Sequence, residues 1–211
     1  MRRVQKAATP VEFAAWTESG NEDWQPCYGD LRQPLKGLVH DALLAEQGHV
    51  CCYCERRIVR TYAGTGDSHI EHLIPQSIEP DRALDYANML CSCNSTNNEH
   101  CGGHRGNQDL AVHPLQADCE RAFVYGSDGS VRAASESAPK ATTTIKALGL
   151  DCASLRRRRK LALDDFFTTV SILPPTDWRM IAKMLLDRNE RGEFIPHAFT
   201  VFSIVDAIPS A

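Results

Sequence analysis

Two histidines bracket a glutamate in "HIEHLIPQS", residues 69–77, with "CCYC" upstream and "CSCNSTNNEHCGGHRGN" downstream. Hydrolysis of a phosphodiester needs a base that takes a proton from water and a cation that takes up charge on the leaving oxygen. Glu71 and His72 offer a carboxylate and an imidazole side by side, and Pro75 constrains the chain soon afterwards. Asn88 stands as a polar residue inside the otherwise apolar "YANML", and His104 follows the last cysteine of the cluster, next to Arg105.

The cysteines point to a second, separate chemistry. Cys51 and Cys54 have the two-residue spacer that lets a tight turn present both thiolates to one tetrahedral zinc. No thioredoxin-like βαβ pattern surrounds them, which argues against a redox pair. The closing pair must come from Cys91, Cys93 and Cys101. Cys91 and Cys93 are one residue apart and a strand would hold them apart, whereas the Asn/Ser/Thr run between Cys93 and Cys101 supplies a returning loop. The expected zinc set is therefore Cys51, Cys54, Cys93 and Cys101, with Cys91 the alternative. Four thiolates leave no open position, so this ion would be structural. Of the nine cysteines, Cys27, Cys52, Cys119 and Cys152 fall outside any ligand spacing and are expected to be small buried hydrophobes.

The elements that must position these residues divide the chain into three parts. Residues 1–47 read as an arm containing a helix, with Leu35, Leu38, Val39, Ala42 and Leu43 at helical spacing and Gly48 as its stop. Residues 48–114 lack long periodic runs and are rich in Cys, His, Asn and Gly, the composition of a small metal-stapled core. Residues 115–211 begin with "ERAFVYGSDGSVRAA", a β-hairpin around Ser-Asp-Gly. Two helices follow, separated near Gly149, with Asp151 or Ser154 as caps for the second. A third amphipathic helix comes after Pro174-Pro175, then an apolar tail "FIPHAFTVFSIVDAI" expected to pack back on the body as part of the same domain.

A length of 211 residues, 43% hydrophobic and 24% charged, suits a protein with a packed core. No run approaches a membrane span, and "MRRVQKAATPVEF" lacks the apolar stretch of a signal peptide, so a cytoplasmic location is expected. The formal net charge of −4 argues against tight, self-sufficient binding to nucleic acid, though a local basic groove is compatible with it.

His, Asn and His interleaved with two cysteine pairs is the layout of the HNH endonucleases. "EQGHVCCYCERRI", "SHIEHLIPQS", "LDYANML", "SCNSTNNEHCGGHRGN" and "TIKALGLDCASLRRRR" together resemble the retron- and Septu-associated HNH nucleases, the PtuB-like family. The likeness runs over most of the chain, and "CGGHRGN" carries one more glycine than the usual form. The resemblance implies an α+β fold: a ββα-metal, treble-clef-like core stapled by zinc, with N-terminal and C-terminal helical extensions. It implies His72 as general base, Asn88 as the brace that keeps its aim, and Glu71 on a catalytic magnesium or manganese ion. His104, or alternatively Asn94, would complete that site, with His69 a further metal contact or a support. It also implies a nucleic-acid substrate, DNA before RNA, and a place in an anti-phage defence complex with a larger ATPase or a retron reverse transcriptase.

Arg56, Arg57, Arg60 and Arg105 are the cations nearest the motif and are expected to track the phosphate backbone. The run "RRRRK" at 156–160 is either a second basic surface or a solvated helix face. Two other readings compete: a zinc-stapled binding module that does not cut, and a stand-alone restriction-type HNH enzyme. The first would not need Glu71, His72 and Asn88; the second would ordinarily carry a large domain for reading modified bases.

Overall fold

Helix α2 (Leu35–Glu46) turns its Val39, Leu43 and Leu44 into the core, as its spacing predicts. It stops where Gly48 adopts a positive φ of 60°, and a Cβ there would stand 2.4 Å from the Phe194 ring. The structure, a computed structural model, describes residues 1–60, 66–135 and 138–209. Before α2, a short α1 (Val11–Thr17) contributes buried Phe13.

The cysteine-rich segment forms the antiparallel pair β1 (Ser68–His72) and β2 (Met89–Cys93), with Glu71 opposite Leu90 and His69 opposite Ser92. Side chains alternate across a strand, so His69 and Glu71 share one face with Ser92 and Leu90, and His72 takes the other. The short α3 (Cys101–Arg105) lies over the first face, where the Gly102 N–H donates to Ser92 Oγ at 3.0 Å. All five residues of β2 are buried, as expected of a strand covered on both sides.

The predicted hairpin is present as β3 (Phe123–Tyr125) and β4 (Val131–Ala133). Helices α4 (Pro139–Ala147) and α5 (Ala153–Val170) part at Gly149 as expected. The expected caps have other partners. Asp151 accepts from the Val131 N–H at 2.9 Å and pairs with Arg156, while the Ser154 hydroxyl donates to Glu99 at 2.8 Å.

Pro175 opens α6 (Pro175–Met184), a position where its missing N–H costs nothing. The tail forms α7 (Ala198–Asp206), whose Val201 and Val205 join Leu163, Phe166, Val170 and Ala182 in a second apolar cluster. Its approach is pinned to the cysteine-rich segment by Phe194 N–H to Gly48 O (2.9 Å) and His197 N–H to Glu55 O (3.3 Å). Helices and two small two-stranded sheets around a main core make the fold α+β. Among the described residues, no helix is long and apolar enough to cross a membrane. Cys52 and Cys119 are buried as expected, but Cys152 is only partly so. Cys27 is exposed, because it sits in an irregular surface turn with its thiol toward Asp30.

Candidate metal centres and cleft

The Sγ atoms of Cys51, Cys54, Cys93 and Cys101 converge, all within 4.8 Å of one another, and all four residues are buried. Cys51 lies 3.8 Å from Cys101, and Cys54 lies 3.7 Å from Cys93. A tetrahedral zinc with arms of about 2.3 Å requires sulfur–sulfur edges of roughly 3.8 Å, so the donor set fits such an ion. Cys51 is held well below the ordinary thiol range. Burial alone would raise it, but hydrogen bonds with Cys101, Cys52, Cys54 and Cys93 outweigh that. The Cys93 N–H points at Cys51 Sγ (3.3 Å), a backbone donor that favours thiolate. Cys91 takes no part: its thiol turns toward the His40 carbonyl, and burial raises its pKa.

On the α3 face of β1, Glu71 is enclosed. Its Oε1 accepts from the Tyr53 hydroxyl (3.0 Å) and from Arg105 Nη1 (2.8 Å), and its Oε2 faces His69 Nε2 at 3.0 Å. His69 Nδ1 in turn meets Asn94 Oδ1 at 2.7 Å. Burial pulls the His69 pKa down, but its bond to the Glu71 carboxylate prevails and the net shift is upward. Two cis ligands on an octahedral ion with arms of about 2.1 Å stand roughly 3.0 Å apart. The His69–Glu71 pair has that separation and fits a divalent ion in chemistry and spacing.

Arg105 and His104 exchange the surroundings expected for them. Helical residues advance by about 100° each, so with Gly102 against Glu71 the residue two further on points away and the one three further on returns. Arg105 is accordingly buried on Glu71 and also donates to the carbonyls of His72 (3.2 Å) and Leu73. That leaves no N–H face for a phosphate, contrary to the expectation that Arg105 tracks nucleic acid. His104 is exposed, with Nδ1 3.2 Å from Asn98 O and its ring beside Gly149, so it is not brought to Glu71.

His72 occupies the opposite face. Its Nε2 lies 3.0 Å from Ala83 O, an acceptor, so Nε2 carries the proton; Nδ1 keeps a lone pair and accepts from Gln76 Nε2 at 3.0 Å. Tyr28 packs edge-on at 4.6 Å between ring centroids. Burial lowers the His72 pKa, so the ring is neutral at pH 7. Asn88 is buried and clamps the chain after β1: its Oδ1 accepts from Ile74 N–H (2.7 Å) and its Nδ2 donates to Ile74 O (3.0 Å) and Arg82 O (3.2 Å). Glu71, His72, Gln76, Ser77, Gly106 and Asn107 line one open cleft of about 330 Å³.

The remaining expected phosphate-tracking cations are engaged. Arg60 forks onto Asp41, Arg57 donates to Phe194 O at 2.6 Å, and Arg56 lies 3.5 Å from Asp67. Sequence reasoning missed Tyr53, Gln76 and Asn107. Tyr53 lies within the "CCYC" motif itself, and Gln76 sits four residues after His72 beside Pro75, a spacing that a turn closes.

A β1–β2 pair covered by α3, four converging buried cysteines, and an acid and an imidazole lining one cleft define a candidate hydrolytic site. No family model matches the chain. Among curated proteins, it is similar to "Retron Vc95 putative HNH endonuclease" of Vibrio cholerae serotype O1 biovar El Tor, 28% identical over 141 residues. That match spans 63% of this chain and 66% of the relative, just under two thirds of its length. The likeness to retron-associated HNH endonucleases read from the sequence therefore has a homologue behind it.

Proposed function

We propose that the protein is a metal-dependent endonuclease of the HNH type that hydrolyses phosphodiester bonds in nucleic acid, DNA before RNA. The observation that carries this reading is the disposition of His72. A backbone carbonyl fixes its Nε2 proton, so the lone pair sits on Nδ1, which belongs to a residue lining the same cleft as Glu71. His72 Nδ1 takes the proton of the attacking water once Gln76 yields its place. Asn88 holds the chain after β1 so that this aim is kept. His69 and Glu71 hold a magnesium or manganese ion, which when bound supplies positive charge for the leaving oxygen. Cys51, Cys54, Cys93 and Cys101 hold a structural zinc.

Nicking of supercoiled plasmid in manganese tests the assignment. A general base contributes about 10²- to 10⁴-fold, so His72→Ala should lose nicking on that scale while keeping its zinc and its fold. Wild-type nicking by that variant would remove His72 from the reaction. The enclosure of Glu71 by Arg105 and Tyr53 favours a second reading, a zinc-stapled module that binds without cutting. Absence of metal-dependent nicking by the wild type would select it.

The relative's name supports a retron association; on the resemblance in the sequence motifs, the nuclease serves a retron- or Septu-type anti-phage system, in complex with a larger ATPase or a retron reverse transcriptase. Exposed Ile172 (89%), Met180 (61%) and Met184 (65%) support a docking role for the α5–α6 region.

A further inference from the structure

The "RRRRK" run is split by the structure. Arg156 is paired with Asp151, Arg159 is buried and donates to the carbonyls of Gly129 and Leu150, and Lys160 pairs with Asp164 at 2.8 Å. Arg157 and Arg158 are exposed, and among the described residues neither has a hydrogen-bond or ion-pair partner. They lie one turn beyond Ser154, whose hydroxyl reaches Glu99 just ahead of α3.

An open trough of about 540 Å³ also adjoins Glu99, between α3, β4 and α4. Its floor includes Val131, Ala133 and Ile145, and its rim carries His104, Arg132 and Lys146. Arg132 and Lys146 are likewise without an ion-pair partner among the described residues. Asp151 at the trough is paired with Arg156, which leaves Glu99 as the other carboxylate among its lining residues, against Arg132 and Lys146.

We propose that Arg157 and Arg158, continued by Arg132 and Lys146, form the track along which the nucleic-acid backbone is held. This rests on the nuclease reading and replaces Arg56, Arg57, Arg60 and Arg105 as the phosphate contacts. The geometry suits the task because α3 borders both spaces: Glu99 and His104 line the trough, and Gly106 and Asn107, just after α3, line the Glu71–His72 cleft. A helix is about 10 Å across, the length of roughly three nucleotide steps at 3.4 Å each. A strand held on the track therefore places a phosphodiester within reach of the cleft without crossing the Arg105–Glu71 pair. The two glycines of "CGGHRGN" keep α3 thin. A Cβ at Gly102 would meet Glu71 Oε2 at 2.3 Å, and one at Gly103 would meet Asn98 Oδ1 at 2.4 Å.

The experiment is fluorescence anisotropy of a labelled oligonucleotide, single-stranded and duplex in separate arms, titrated at several salt concentrations in calcium. Each phosphate contact contributes about 0.9 to the salt slope on duplex and about 0.7 on a single strand. The double variant Arg157→Ala/Arg158→Ala should lower the slope by roughly 1.8 or 1.4 respectively, and Arg132→Ala/Lys146→Ala by a similar amount. Lys160→Ala, in the same run but paired with Asp164, which does not line the trough, should leave it unchanged. Equal slopes for the wild type and the Arg157→Ala/Arg158→Ala variant, with plasmid nicking intact in the wild type, would overturn the track and spare the nuclease. A wild type that neither binds nor nicks would overturn both.

Discussion

Glu71 is a buried carboxylate whose charge is balanced by Arg105, and the balance is asymmetric. Removing one member of a buried pair strands the other, at a cost of about 3–5 kcal/mol. Arg105→Ala should therefore lower unfolding stability by about 3 kcal/mol, read from urea midpoints. Arg56→Ala, at a partly exposed pair, should cost under about 1 kcal/mol. The same asymmetry dictates the choice of metal-site variant. Glu71→Gln keeps the shape and an acceptor for Tyr53 and Arg105, but it leaves the Arg105 charge unbalanced, so its urea midpoint is read alongside its activity. Its nicking should need at least tenfold more manganese than the wild type, and a wild-type manganese dependence would take Glu71 out of the ion site. At His72, by contrast, the hydrogen-bond partners, Ala83 O and Gln76, are uncharged, so His72→Ala tests chemistry without stranding a buried charge.

At the scale of elements, α3 is held against β1 and β2 by the cysteine cluster. A small metal-stapled unit draws much of its folding free energy from the ion. Cys51→Ser, Cys54→Ser, Cys93→Ser or Cys101→Ser should each lower zinc content and leave protease-sensitive protein, while Cys91→Ser and Cys52→Ser retain both. Zinc analysis of the purified variants decides this, and zinc loss only in Cys91→Ser would reverse the choice of Cys93. Helix α2 meets β1 through His40 Nε2, which lies 3.1 Å from Ser68 Oγ. Burial pushes the His40 pKa down to about 4, below its ordinary value of 6.5. The unfolded chain therefore binds the extra proton between those values, so this contribution is complete above about pH 6.5 and is lost as pH falls toward 4. Urea midpoints at pH 7.5 and 5.0 should show that fall in the wild type and a smaller one in His40→Gln.

For the whole molecule, a chain of net charge −4 has little long-range attraction for nucleic acid, and what it has must be local or shared with a partner. Ile172, Met180 and Met184 are exposed on and just before α6, which contributes Ala182 to the second apolar cluster. If they dock an ATPase, the co-expressed proteins of the native operon should co-elute on size exclusion. Met180→Lys/Met184→Lys should then break the complex without changing nicking. Co-elution that survives this variant would move the interface elsewhere.

Local chemistry was legible from the chain alone. The two-residue spacer of Cys51 and Cys54, the returning loop before Cys101, the stop at Gly48 and the Ser-Asp-Gly hairpin are short-range features, determined by turn geometry over a few residues. So was Asn88, a polar residue whose burial required partners, which Ile74 and Arg82 supply. What only the tertiary structure decided is how each side chain points after the elements pack. Within the five-residue α3, a step of about 100° per residue sends His104 outward and brings Arg105 onto Glu71. The run at 156–160 was equally opaque as sequence. Which of its charges are free depends on Asp151, Gly129 and Leu150, residues brought beside α5 by the packing of β4 and the α4–α5 turn.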